Sequence, residues 1–147
     1  MTDPPIRPVA VCVCRKDGRL LVEQGRDRVT GERFLRAIGG AIEFGERAAD
    51  AVRREWREEL GVDLLDLRLL GVLENLFTWE GRPGHEIVFV FDGRIEEPER
   101  FSERPLDVID GGGQRHAVAW VAIEALGAGG TPLYPARLLE LLRDAPG

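Results

Sequence analysis

Long apolar runs are missing from this sequence. No stretch of the 147 residues approaches the ~20 consecutive apolar residues that a membrane-spanning helix needs, so no membrane partner is expected. Met1-Thr2-Asp3-Pro4-Pro5 has neither a basic start nor an apolar stretch behind it. No secretory leader is therefore expected, and the cytoplasm is favoured. Cysteine is limited to Cys12 and Cys14. Two thiols cannot close a four-ligand zinc site. Their spacing puts both on one face of a strand, where they read as small buried residues in a reducing compartment. Lysine is limited to Lys16, so nearly all positive charge is arginine. Arginine suits bidentate phosphate contacts, although codon bias gives the same skew. There is no excess of positive charge either. The net charge is -6, which argues against a nucleic-acid polymer as partner and leaves small phosphorylated ligands open. What is present is a globular balance, 44% apolar and 31% charged. It fits one domain over residues 1–147.

Val9 to Cys14 is a β-forming run. Asp17-Gly18 signals a turn and Leu20 to Val22 follows, which predicts a β-hairpin. Gly25 to Arg33 reads as a loop. Phe34 to Ile38 reads as a short strand ending at Gly39-Gly40. The strongest helix runs from Glu46 or Arg47 to Leu60, with Gly61 as its stop. Leu64 to Phe77 is one bent strand or two. A second hairpin turns at Glu80 to Gly84 and returns through Glu86 to Phe91. Glu96 to Gly113 reads mainly as loop, Ala117 to Val121 as a strand, Ile123 to Leu126 as one helical turn and residues 127–130 as a linker. Pro135 to Arg143 has leucines at helical spacing and predicts a closing helix. Strands, helix, strands and helix in that order suggest a mixed sheet with helices on its faces.

One stretch of the long helix carries chemistry. In Arg54-Glu55-Trp56-Arg57-Glu58-Glu59 three carboxylates stand at i, i+3 and i+4, on one helix face. Like charges at that spacing repel, and a plain surface helix does not need them. A hard divalent cation does, because Mg²⁺ and Mn²⁺ take oxygen ligands, often carboxylates together with substrate phosphates. Val52, Trp56 and Leu60 form an apolar stripe beside that face. The helix can therefore bury one flank and leave its carboxylates facing a cleft.

The frame around the carboxylates is more specific. Gly40 is followed after five residues by Glu46. Seven more lead to Arg54-Glu55-Trp56-Arg57-Glu58-Glu59-Leu60-Gly61-Val62. This resembles the Nudix box, with every charged and glycine position filled. Trp56 stands where Ile, Leu or Val is usual. Arg36-Ala37-Ile38-Gly39-Gly40 precedes the box where many Nudix proteins have Leu-Pro-Gly-Gly, so Ile38 replaces the proline. Glu74-Asn75-Leu76-Phe77, Gly84-His85-Glu86-Ile87, Trp120-Val121 and Leu133-Tyr134-Pro135 are similar to a Nudix subgroup. The resemblance covers most of the chain.

It implies an α/β/α sandwich. It also implies hydrolysis of a nucleoside diphosphate linked to another group, with Mg²⁺ or Mn²⁺ as cofactor and in many relatives a homodimer. Glu55, Glu58 and Glu59 would be metal ligands, with the Gly39 carbonyl as a further oxygen, and Glu55 or a neighbouring carboxylate would activate water. Arg54 would orient the carboxylates, and Glu46 would hold loop to helix. Some relatives take the base from outside the box. Candidates here are Glu86, Glu103 and His116, whereas Gln114 is no carboxylate. On a strand Glu86 faces away from His85 and Ile87. Arg26, Arg28 and Arg36 are candidate phosphate contacts, and Phe77 with Trp79 could stack a base, although aromatics at this period also read as core. Two other readings compete. One is a catalytically idle nucleotide-binding module, which would usually have lost one of the three glutamates. The other is a plain structural domain, which leaves the self-repelling charges unexplained.

Overall fold

In the computed structural model, residues 3–127 and 130–144 are described. Met1 and Thr2 of the segment read for a leader, residues 128–129 of the expected linker, and residues 145–147 lie outside them.

The core is organised around the first strand, β1 (Arg7–Lys16). Ala10, Cys12 and Cys14 point to one side, and Val9, Val11 and Val13 to the other. All six are buried, as a strand covered on both faces requires. Asp17 and Gly18, both at positive φ, turn the chain into β2 (Arg19–Arg26). β1 pairs antiparallel with β4 (Ile38–Ala41) and parallel with β6 (Arg82–Arg94). β6 pairs in turn with β5 (Leu65–Trp79). At Arg15 and Lys16, β1 hands over to β2. There a second sheet begins, in which β2 lies between β3 (Arg33–Arg36) and β8 (Arg115–Ala122). β9 (Leu133–Tyr134) and β7 (Leu106–Ile109) extend its two ends.

The helix α1 (Ala48–Leu60) closes one face. Val52, Trp56 and Leu60 are buried against β1 and β4, and Gly61 ends the helix in the left-handed conformation with its N–H on the Arg57 carbonyl. The C-terminal α2 (Leu138–Asp144) covers the opposite face through Leu138 and Leu142, against Val9, Val11 and Val13. The result is the expected α/β architecture. No helix among the described residues is long and apolar enough to cross a membrane.

Two segments depart from the sequence reading. The strand expected over Phe34 to Ile38 is two strands in two sheets, because the chain changes sheets at Ala37, whose N–H bonds the Tyr134 carbonyl. Gly39 and Gly40 lie inside β4 rather than ending it. A Cβ on Gly39 would come within 2.7 Å of the Val11 Cα and collide with the Ala10 carbonyl, so the glycine marks a close strand approach. Within the expected loop from Glu96 to Gly113 lie a 3₁₀ turn (Pro98–Arg100) and β7. β7 pairs only at one edge and leaves Leu106 and Ile109 exposed. Its weak burial pattern hides it in the sequence.

Candidate active site

Arg54 is the hub of the acidic helix face. Its guanidinium donates to both Glu46 oxygens at 2.8 and 3.0 Å, to Glu55 at 2.9 Å, to Glu58 at 3.3 Å and to the Ala41 carbonyl at 3.0 Å. That pairing holds the Glu46 carboxyl down at about 2, with a further contribution from the Glu43 N–H. Arg54 itself is held firmly charged, chiefly by Glu46. Glu46 is thus taken up in tying the loop before α1 to the helix.

The three glutamates occupy different environments. Glu58 is largely exposed and Glu55 mostly covered. Glu55 sits under Gly40, where a Cβ would approach its Oε1 to 2.6 Å. Glu59 Oε2 is buried with no hydrogen-bond partner among the described residues. Its carboxyl is pushed up to about 8, first by burial and then by the charge of Glu23, with His116 and Arg36 opposing. Removing such a group from water without a partner is costly, so the oxygen is open to a ligand. Gly39 and Glu59 line a cavity of about 410 Å³, within the size range of small-ligand sites.

Beside Glu59 lies a network that the sequence did not disclose. Glu23 on β2 accepts two hydrogen bonds from its cross-strand partner Arg36, at 3.1 and 2.9 Å. The same carboxylate meets His116 Nδ1 at 2.7 Å, and His116 Nε2 meets Asp110 at 2.8 Å. Glu23, Glu59 and His116 each offer a ligand atom within 4.8 Å of the others. Burial opposes charging His116, but Asp110 and Glu23 outweigh it and hold the ring above its ordinary value. With both nitrogens engaged by carboxylates, the ring has no free lone pair for a base and acts as a bridge. The signal for Glu23 was one acid directly after the apolar run Leu20 to Val22. Only the strand register shows that it faces Arg36.

The other candidates divide. Arg36, Phe77, Trp79, Glu86 and His116 line the cavity. Arg26 and Arg28 do not, and Arg28 lies on Glu80 instead. Glu103 pairs with Arg19 at a separate depression around Lys16 and Trp120. Glu86 receives the Asn75 amide at 3.3 Å and lies 3.7 Å from Arg7. His85, on the opposite strand face, has its Nε2 buried without a partner among the described residues. On the cavity lining the Asp27 carboxylate accepts the Val29, Thr30 and Glu80 amides. It thereby joins the loop after β2 to the β5–β6 turn.

Comparison with known proteins supports the same frame. The sequence profile of the NUDIX domain matches residues 4–142. The NAD-capped RNA hydrolase NudC of Mycobacterium tuberculosis is 32% identical over 107 residues, covering 67% of this chain and 34% of the relative. The nucleoside triphosphatase NudI of Salmonella typhimurium is 42% identical over 59 residues, covering 40% and 37%. The chain spans about a third of the length of the curated relatives it matches. A MutT NUDIX hydrolase structure from Burkholderia pseudomallei superposes with a TM-score of 0.59 at 26% identity, covering 97% of this chain and all of that one. A NUDIX hydrolase from Nitrosomonas europaea superposes with a TM-score of 0.66 at 22% identity, over 95% and 88% of the two chains. That second likeness speaks to the fold alone.

Proposed function

This chain belongs to the NUDIX domain family, and from that premise we propose that it hydrolyses a phosphoanhydride bond in a nucleoside diphosphate linked to another moiety, with Mg²⁺ or Mn²⁺. ADP-ribose, dinucleoside polyphosphates and nucleoside triphosphates are the candidate substrates. The observation that carries the reading is the Glu59 Oε2 at the cavity wall, buried and without a hydrogen-bond partner among the described residues.

The acidic residues suit a hard cation, and among the described residues Glu59 also lies with Glu23 and His116, their ligand atoms within 4.8 Å of one another. Glu55, Glu58 and Glu59 supply carboxylate oxygens on one helix face, and the missing Cβ of Gly40 leaves room over Glu55. The Gly39 carbonyl is the proposed backbone ligand. When bound, the cation neutralises charge on the phosphoryl oxygens and makes water a better nucleophile. Arg54 keeps Glu55 and Glu58 in place, so little reorganisation is needed when substrate binds. Arg36, braced by Glu23, is the proposed phosphate grip. Glu55 is the proposed base, and Glu86 is one of four carboxylates outside the box, with Glu23, Asp27 and Glu32, that line the cavity.

The test is a panel of nucleoside diphosphate derivatives, with an NAD-capped RNA as one arm, incubated with Mg²⁺ or Mn²⁺ and analysed for products. Loss of one charge-stabilising group commonly costs ~10²–10³ in rate. Glu58→Gln, at an exposed position, should therefore lose about 10²-fold in turnover and keep the wild-type melting temperature. A variant as active as wild type removes the assignment.

A further inference from the structure

Glu23 is held from both sides. On β2 it stands directly opposite Arg36 of β3. Its partner on the other side is Val118 of β8, and His116, two residues earlier, is its diagonal neighbour on the same strand face. The Arg36 fork alone would satisfy the carboxylate, with Nε at 3.1 Å on one oxygen and Nη2 at 2.9 Å on the other. His116 Nδ1 adds a third contact, at 2.7 Å, on the oxygen that Nη2 already meets.

His116 brings a second carboxylate with it. Asp110 Oδ1 accepts the Gly112 and Gln114 amides at 2.8 and 3.0 Å. The Asp110 N–H bonds the Gln114 carbonyl at 2.9 Å. These bonds close the turn between β7 and β8. Oδ2 of the same side chain meets His116 Nε2 at 2.8 Å. The ring is thus clamped between the turn and Glu23, and both Gln114 and His116 line the cavity.

Stability does not call for this arrangement. The Glu23 and His116 side chains are only 6% and 8% exposed. Desolvating such groups often costs as much as their attraction returns, and apolar replacements are then tolerated. What the contacts supply is direction. The Arg36 side chain is 48% exposed, so packing leaves its orientation to the fork. The fork uses Nε and Nη2 and leaves the two Nη1 hydrogens for a ligand in the cavity that Arg36 lines. Glu59 makes the brace necessary. Its ligand atom lies within 4.8 Å of those of Glu23 and His116, and like carboxylates so close repel. Glu23 keeps its place toward Arg36 because His116 holds it there.

We infer that His116 and Asp110 are positioning residues, which act through Glu23 to fix the Arg36 guanidinium plane with its Nη1 edge toward the diphosphate of the substrate. The inference rests on the function proposed above and names the device that sets its phosphate grip.

Equilibrium binding tests it without cleavage. Methylenediphosphonate, a diphosphate mimic whose P–C–P bridge is not hydrolysed, is titrated by calorimetry into the full chain with Mg²⁺ present. His116→Phe should weaken binding about 10-fold, the usual cost of losing a residue that orients a ligand-binding group. Asp110→Ala should weaken it in the same direction. His116→Gln, whose amide keeps a donor for Glu23, should retain most of the affinity. Arg36→Lys keeps the charge and loses the fork. In that background His116→Phe and Asp110→Ala should each cost less than about 2-fold, because residues acting through one partner are not additive. A general loosening of the site costs the same in either background. Melting curves show which variants are folded, and whichever of His116→Phe and Asp110→Ala melts cooperatively carries the test. Equal losses in the two Arg36 backgrounds overturn the inference. So does unchanged binding in a folded variant, or a loss in His116→Gln as large as in His116→Phe. If neither disruptive variant folds, the network serves the fold and the inference also fails. Wild type that does not bind the diphosphonate removes the inference together with the phosphate grip. Failure of hydrolysis across the substrate panel with the coupling intact sinks the enzyme reading and leaves the positioning role standing.

Discussion

Arg54 explains how three glutamates can share one helix face. It spreads one positive charge over Glu46, Glu55 and Glu58 and leaves Glu59 outside its reach. Glu59 is the residue at which the acidic face is least satisfied, and its titration has a predictable sign. Its carboxyl is raised from 4.5 to about 8 by burial and by Glu23. The folded state therefore holds a proton that the unfolded state has released. The resulting stabilisation is complete below pH 4.5 and is lost as pH rises toward 8. His116, raised above 6.5, acts in the same direction at the upper end of that window. Without metal, the melting temperature should fall between pH 5 and pH 8.5, and Glu59→Gln should flatten the decline. Affinity for Mg²⁺ should rise over the same interval, because the ligand must give up its proton. A wild-type melting temperature independent of pH across this range contradicts the placement of Glu59.

At the scale of elements, α1 and β4 form one device. Trp56 and Ile38 are two positions where the chain departs from the usual Nudix pattern, and they touch. The Trp56 indole donates to the Ile38 carbonyl at 2.9 Å, immediately before the glycines of the site. The indole therefore carries a polar contact into the core as well as apolar bulk. Trp56 is fully buried. Trp56→Leu should leave a void and lose the indole hydrogen bond, and cost roughly 2–4 kcal/mol of stability by urea unfolding. A cost within experimental error would show that helix and strand are held by other contacts.

Over the whole molecule, what could be read from the sequence follows the range of the interaction. Local signals were reliable: the Asp17-Gly18 hairpin, the Val52, Trp56 and Leu60 stripe and the Gly61 stop are all where the sequence puts them. Signals that depend on pairing across the chain were not. Nothing local shows that Gly39 is squeezed against Ala10, that β3 and β4 belong to different sheets, or that edge strand β7 exists. The site divides in the same way. Its carboxylates sit at consecutive helix turns and were legible. The Glu23–Arg36–His116–Asp110 network joins residues from three parts of the chain and became visible only with the register. Three arginines were equivalent in sequence, and topology brings Arg36 alone of them to the cavity.

The central claim is that this helix face holds a divalent cation, and thermal unfolding at pH 8 with and without millimolar Mg²⁺ tests it most directly. A cation at 100 times its dissociation constant stabilises by about 2.7 kcal/mol, or roughly 5–10 °C for a domain of this size. Wild type should show that increase, and Glu59→Gln, itself folded, should lose most of it. No increase for wild type, or an equal increase in the variant, would contradict the account.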